Sequence, residues 1–209
     1  MLKGKALSGL IVVDELSDLG NDVKIANLGR QYDFLQTSYI VSQHHGDFQI
    51  NHRFIKELNF YAVHYLSSNP GEYRKEYVNI TNTPHEPPEW EKVDQLMIDF
   101  LAELDRYDGA NEPVKTAAYV LWRVNWIHPF VQGNGRTARA LSYFVLCQNL
   151  NMWLPGTKII PESIRETRPQ YCEILKRVDE SYKKCGSPDL TELTEYLRGL
   201  LTKQLSTPS

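Results

Sequence analysis

The chain has 209 residues, of which 42% are hydrophobic, and a formal net charge of −3. This length and apolar content suit one sizeable folded core, and the acidic balance argues against nucleic acid or an anionic membrane as a partner. The three cysteines lack C-x-x-C spacing, which argues against a disulfide framework or a cysteine zinc site. Because apolar runs of about 18 residues and a signal-peptide core are both missing, we expect a soluble, cytoplasmic protein.

The N-terminal third shows helical periodicity. Apolar residues recur on one face from Ile25 to Tyr39, and a clearer stripe runs from Phe54 to Leu66 before the turn at Asn69. We assign residues 1–50 to an N-terminal helical extension packed on the core, and residues 51–205 to the main domain.

The segment from Tyr73 to Pro88 differs from its surroundings. It carries β-favouring residues followed by prolines, a pattern that predicts a small β-hairpin flap over residues 76–88. His85 lies in this flap, where a surface position is the simpler interpretation and contact with a target the alternative.

Helical periodicity returns after the flap. Amphipathic stripes predict helices over 93–104, 113–124, 171–182 and 190–201. Pro113 suits the first position of its helix. Residues 136–148 are apolar almost all round, which is typical of a central, buried helix. The fold class predicted from these patterns is mainly α, with the flap as its one β element.

Residues 128–139 join two of these helices and combine several features of a phosphate site. Glycines 133 and 135 allow a sharp turn and a close backbone approach, and the helix that follows offers free amides at its N-terminus. Arg136 and Arg139 are three residues apart, so they begin on one helical face. Positive residues in a first turn oppose the helix dipole, which is expected where an anion binds. His128 is placed to act as a general base.

This segment resembles the signature of the Fic (Fic/Doc, or Fido) family, written H-x-F-x-[D/E]-G-N-G-R-x-x-R. A chance match to its fixed positions has a probability of about 10⁻⁷. Two other segments, residues 70–74 and the helix with Arg168 and Tyr171, also resemble the family. The fixed positions that match are His128, Phe130, Gly133, Asn134, Gly135, Arg136 and Arg139.

The resemblance implies a Fic-like helical domain with a small β-hairpin flap and a protein adenylyltransferase that moves AMP from ATP to a Ser, Thr or Tyr hydroxyl. His128 would be the catalytic base and Phe130 a core anchor. The nucleotide and its phosphates would be bound by motif residues, with the side chain of Asn134 among the contacts. Tyr171 would either line the adenine pocket or pack in the core. The phosphate set is Gly133, Asn134, Gly135, Arg136 and Arg139.

Two departures from the family pattern bear on mechanism. Gln132 stands at the acidic position that helps to hold Mg²⁺ in the family, so this metal position is degenerate and transfer is expected to be slow or metal-insensitive. Many relatives also carry an inhibitory helix whose glutamate pairs with the last motif arginine. The stretch 37–42 resembles that helix, but Val41 stands where the glutamate is expected, so we expect no such brake.

Three function classes stay open at this point. The leading one is protein adenylylation, with a target protein docked through the flap. The alternatives are a nucleotide-binding regulator with weak or no catalysis, which Gln132 favours, and a phosphotransferase that moves the γ-phosphate. We expect no nucleic-acid or membrane partner. Homo-oligomer formation is left open.

Overall fold

The computed structural model describes residues 11–45, 48–80 and 85–206. Within those ranges the secondary structure is helical, apart from one isolated antiparallel bridge between Tyr73 and Phe130. A 3₁₀ turn, Trp90–Lys92, precedes the third helix. The α-helices are α1 (Asp18–His44), α2 (His52–Val63), α3 (Val93–Leu104), α4 (Pro113–Ile127), α5 (Asn134–Asn149), α6 (Ile160–Glu166), α7 (Arg168–Cys185) and α8 (Thr191–Ser206).

Helices α4 and α5 form the centre of the molecule. They pack along each other, and most of their residues are buried, including polar ones such as Thr116 and Ser142. The Ser142 hydroxyl donates to the Ala117 carbonyl at 2.8 Å and so joins the two helices. The remaining helices surround the pair: α1 and α2 lie against α5, α3 and α7 against α4, and α6 and α8 close the other side. The predicted all-round apolar helix at 136–148 is therefore confirmed as a central one.

Helix α1 is joined to the core by buried amides as well as by apolar contacts. The Asn27 side chain donates to the His64 carbonyl at 2.7 Å, and the Gln31 side chain donates to the Leu58 carbonyl at 2.8 Å. Leu35 and Tyr39 of the same helix belong to the main hydrophobic cluster. The helix thus packs on α2 and α5, while the domain boundary after residue 50 stays a prediction.

Local chemistry accounts for two of the helix starts, one of which was predicted. Pro113 occupies the first turn of α4, as its missing N–H requires. Ser17 caps α1 by accepting from the Gly20 N–H at 3.0 Å. The short helix α6 was not predicted, because it is too brief to show a periodic apolar stripe. None of the described helices is both long and apolar enough to cross a membrane.

The predicted hairpin over 76–88 is not seen in the described part of that segment. Residues 75–80 and 85–89 form no strand, and residues 81–84 lie outside the described ranges. Tyr77, one of the β-favouring residues, is 59% exposed. An isolated two-stranded hairpin is marginally stable in water, and no neighbouring sheet supports one here. The Arg74 side chain instead holds the two ends of this segment through hydrogen bonds to the Glu76 and Pro88 carbonyls.

Candidate active site

The loop between α4 and α5 is closed by the side chain of Asn134. Its Oδ1 accepts from the Phe130 N–H at 2.9 Å, and its Nδ2 donates to the Phe130 carbonyl at 2.7 Å. Phe130 itself is buried in the core, as predicted, and pairs with Tyr73 in the isolated bridge. Asn134 is only 3% exposed. Its side chain therefore shapes the loop, while its expected contact with a phosphate stays a prediction.

Gly133 begins α5 in a backbone conformation that favours glycine, with φ = 79°. A Cβ at this position would overlap Val63 and lie 3.0 Å from the Asn59 side-chain nitrogen. That nitrogen donates to the Gln132 carbonyl at 2.9 Å, while Asn59 Oδ1 accepts from the Gly71 N–H at 3.0 Å. Helix α2 thus holds the glycine turn in place, and there is no room for a larger residue.

The N-terminus of α5 carries no cap. No side chain caps it, no acidic residue lies in its first turn, and the first intrahelical bond runs from the Thr137 N–H to the Gly133 carbonyl at 2.9 Å. The N–H groups of Gly135 and Arg136 have no acceptor within the described residues. Free amides and the positive end of the helix dipole are the usual components of an anion site.

Arg139 lies over this helix end without an anionic partner. A Cβ on Gly135 would lie 3.1 Å from its Nη1. In the described part of the chain, no carboxylate pairs with Arg139 and no acceptor takes a hydrogen bond from it. Burial lowers the pKa of Arg139; the hydroxyls of Tyr171 and Tyr32 oppose that shift, whereas Arg136 and Arg168 add to it. A largely buried guanidinium that has no partner among the described residues, beside a free helix N-terminus, is costly unless an anion binds there.

Arg136, by contrast, is already engaged. Its Nη1 donates to the Ala62 carbonyl at 3.0 Å, at the end of α2, and its Nη2 pairs with Glu15 Oε1 at 2.9 Å. Burial lowers the pKa of Arg136, and Glu15 counteracts that effect. The two arginines begin on one face of α5, but their side chains diverge. Sequence reasoning missed Glu15, since nothing in its local pattern marks it as a partner of the motif.

His128 ends α4 in the left-handed region, with φ = 52° and ψ = 57°. Its Nδ1 lies 3.3 Å from the Asn125 carbonyl oxygen, so the tautomer that donates there leaves the Nε2 lone pair free. The pKa of His128 is lowered to about 4, chiefly by burial; the contact with Asn125 opposes the shift, and His85 and Arg74 add to it. The imidazole is therefore neutral at pH 7 and able to accept a proton.

Comparison with known proteins agrees with this geometry. The sequence profile of the Fic/DOC family matches residues 49–146, a range that contains the whole loop between α4 and α5. A protein adenylyltransferase Fic from Drosophila persimilis is 33% identical over 111 residues, which are 53% of this chain and 20% of that protein. The match to the Fic/DOC family thus covers a little under half of the chain, including the whole motif.

Solved structures place the Fic fold over most of the chain. A Fic domain containing signaling protein from Bacteroides thetaiotaomicron aligns with a TM-score of 0.71 and 20% identity, covering 95% of this chain and 74% of that one. Fic-1 from C. elegans aligns with a TM-score of 0.69 and 21% identity, covering 93% of this chain and 52% of that one. At such identities the likeness concerns the fold. The chain spans about a fifth of the length of the curated relatives it matches.

The Fic metal position does not suit a magnesium ion in this chain. At this position the neutral amide of Gln132 replaces the carboxylate of the family motif. Its Oε1 is buried from solvent and has no hydrogen-bond partner among the described residues. Across residues 11–45, 48–80 and 85–206, no three His, Cys, Asp or Glu side chains gather as metal ligands. The residues present do not fit a tightly held Mg²⁺, and we assign the ion no step.

Tyr171 belongs to the core of this Fic domain. It is 5% exposed, stacks on Tyr196 with ring centroids 6.3 Å apart, and accepts from the Asn125 side chain at 3.0 Å. Of the two interpretations of this residue, the geometry favours packing. Its hydroxyl also interacts electrostatically with Arg139 and raises the pKa of that guanidinium.

Proposed function

We propose that this Fic domain is a protein adenylyltransferase that moves AMP from ATP to a Ser, Thr or Tyr hydroxyl of a target protein. The observation that supports this best is the unpaired Arg139 beside the free N-terminus of α5. A triphosphate supplies the negative charge that this region lacks. Gly133 lets the backbone approach the phosphates, and Gly135 and Arg136 contribute free N–H groups.

The neutral imidazole of His128 suits the first chemical event. The target hydroxyl gives its proton to Nε2 while its oxygen forms a bond to the α-phosphorus of ATP. The bond between that phosphorus and the oxygen bridging to the β-phosphate breaks, and pyrophosphate leaves with the bonding pair. The products are a phosphodiester-linked AMP on the target and pyrophosphate. Catalysis then rests on positioning and on charge stabilisation by Arg139 and the helix amides.

The target is proposed to dock along residues 76–88, beside His128. The described part of this segment has no regular secondary structure, and such a chain can offer backbone groups to an incoming peptide. A cleft of about 430 Å³ beside it is lined by Tyr73, Glu76 and Val131, among other residues. Because Val131 of the motif loop also lines this cleft, it offers a side chain of the target a place to enter.

Gln132 supports a second candidate, a nucleotide-binding regulator with weak or no transfer. Its amide brings no negative charge to the phosphates, and losing one charge-stabilising group typically lowers a rate by about 10²–10³. A third candidate, γ-phosphate transfer, differs from the first only in which phosphorus faces the hydroxyl.

Labelled nucleotides separate these candidates. The purified protein is incubated with a cell lysate and ATP labelled at either the α- or the γ-phosphate. AMP transfer labels a target from the α-label alone, and phosphotransfer labels it from the γ-label alone. Retained ATP binding without either label identifies the regulator. His128→Ala is the control, because it should remove transfer and leave ATP affinity within about twofold.

A further inference from the structure

The C-terminal carbonyls of α4 are satisfied by side chains from outside the helix. The Trp126 carbonyl oxygen accepts from His85 Nε2 at 2.8 Å. The His128 carbonyl oxygen accepts from Arg74 Nε, also at 2.8 Å. Arg74 Nη2 reaches the Ile127 carbonyl at 3.4 Å. The last carbonyls of a helix have no intrahelical partner, so each of these contacts fixes a group that would otherwise need water. His128 projects from the end that they hold.

Both donors are tied to the segment that the proposed target would contact. Arg74 lies two residues before its start and is 2% exposed. The same guanidinium binds the carbonyls of Glu76 and Pro88, which lie at opposite ends of the segment. His85 enters from the middle of the segment, and its side chain is 12% exposed. Sequence reasoning favoured a surface position for His85, but its ring lies against the helix end.

A third element holds the other side of the His85 ring. Nδ1 lies 3.6 Å from Asp179 Oδ2 of α7, and Asp179 Oδ1 accepts from the Trp122 indole at 2.8 Å. Burial raises the pKa of Asp179, while Trp122 and His85 pull it down. The ring of His85 also lies 6.0 Å from that of Trp126. His85 thus bridges α4 and α7 at a point two residues before His128.

We propose that His85 is a positioning residue for His128, one that couples the docking segment to the alignment of the base; this rests on the proposed transfer function. His128 adopts a left-handed conformation that is uncommon for residues other than glycine. It stays there because its own N–H donates to Val124 O at 3.0 Å and its carbonyl is held by Arg74. Removing His85 leaves Trp126 O without its partner and loosens the turn that carries the Asn125 carbonyl, the acceptor for Nδ1 of the base.

The test compares His85→Ala with His85→Gln, whose amide can again donate to Trp126 O. His44→Ala is the matched control, because His44 is an exposed histidine at the end of α1. We expect His85→Ala to lower kcat by about 10²-fold, the scale of a small misplacement of a catalytic group, with ATP affinity within about twofold. His85→Gln should recover most of that loss, and His44→Ala should change neither quantity.

A spectroscopic readout makes the test independent of turnover. ¹⁵N-resolved NMR of His128 should show one tautomer in the wild-type protein and in His85→Gln, and a mixture in His85→Ala. An unchanged His128 spectrum and unchanged kcat in His85→Ala would overturn the inference. A wild-type protein that labels no target, combined with the tautomer change in His85→Ala, would sink the transferase proposal and leave the positioning role supported. If His85→Ala does not fold, Asp179→Asn serves as the second perturbation, with a smaller change of the same sign.

Discussion

Replacing Arg139 by methionine should stabilise the unliganded protein. The guanidinium is largely buried beside a helix N-terminus, with no carboxylate paired to it among the described residues. Methionine keeps the length of the side chain and removes the uncompensated charge. We expect a gain of about 1–2 kcal/mol, because buried charges replaced by apolar groups often give gains of this size. For a chain of this length, each kcal/mol raises Tm by about 2–4 °C.

The same substitution should weaken nucleotide binding. Hydrogen bonds to charged groups each contribute about 1.5–3 kcal/mol, and a guanidinium can give two to a phosphate. A loss of about 3 kcal/mol corresponds to binding weaker by about 10²-fold. Stability and affinity therefore change in opposite directions, which a purely structural arginine would not produce.

Thermal melts without nucleotide and calorimetric titration with ATP measure the two effects. Arg198→Met is the matched control, because Arg198 is exposed and pairs only with its helical neighbour Glu195 in the described structure. It should change neither Tm nor affinity appreciably. The reasoning fails if Arg139→Met lowers Tm in the absence of nucleotide, or if it binds ATP as tightly as the wild-type protein.

Three further predictions concern the rest of the loop. The pKa of His128 is about 4, so transfer should be flat from about pH 6 to 8 and fall tenfold per unit at pH values below that pKa. The unfolded chain takes up a proton at the ordinary histidine pKa and the folded chain does not. Stability should therefore fall between about pH 6.5 and 4, and His128→Asn should reduce that fall in pH-dependent melts. Gly133→Ala should lower the free energy of unfolding by about 1–3 kcal/mol, because it combines a positive φ with overlap on Val63. Gly29→Ala is the control at an open position within α1 and should raise that free energy by about 0.5–1 kcal/mol. Equal losses for the two variants in denaturant melts would contradict this account. Gln132→Glu places a buried carboxylate where the amide oxygen has no partner. Melts without metal should therefore show a loss of about 1–3 kcal/mol in the free energy of unfolding, which Mg²⁺ and ATP should recover. A loss that Mg²⁺ does not change would show that this position does not contact the metal.

The helices were the most predictable part of the fold. The stripes over 93–104 and 113–124 and the apolar run over 136–148 each gave a helix close to the expected range. Apolar periodicity reports burial directly, so long amphipathic or buried helices are readable from one sequence. The hairpin at 76–88 was the opposite case. Its β-favouring residues have no sheet to join in the described structure, and the Arg74 side chain holds both ends of the segment.

The candidate site was also predictable only in part. The motif identified the residues between His128 and Arg139 before any coordinates were known. It did not reveal which of them contact one another. Spacing placed the two arginines on one face, but Arg136 turns to Ala62 and Glu15. Likewise, the Asn134 side chain closes the loop on Phe130.

By itself the sequence predicted a mainly helical, Fic-like domain with a glycine turn, a candidate base and two arginines at one helix start. Periodicity and motif spacing are local properties of the chain, so they can be recognised in the sequence alone. Only the tertiary structure decided which arginine is left without a partner and what holds the base. Glu15, Arg74 and His85 lie far from the motif in sequence, and they reach it because folding satisfies buried helix ends and charges with whichever groups lie near in space.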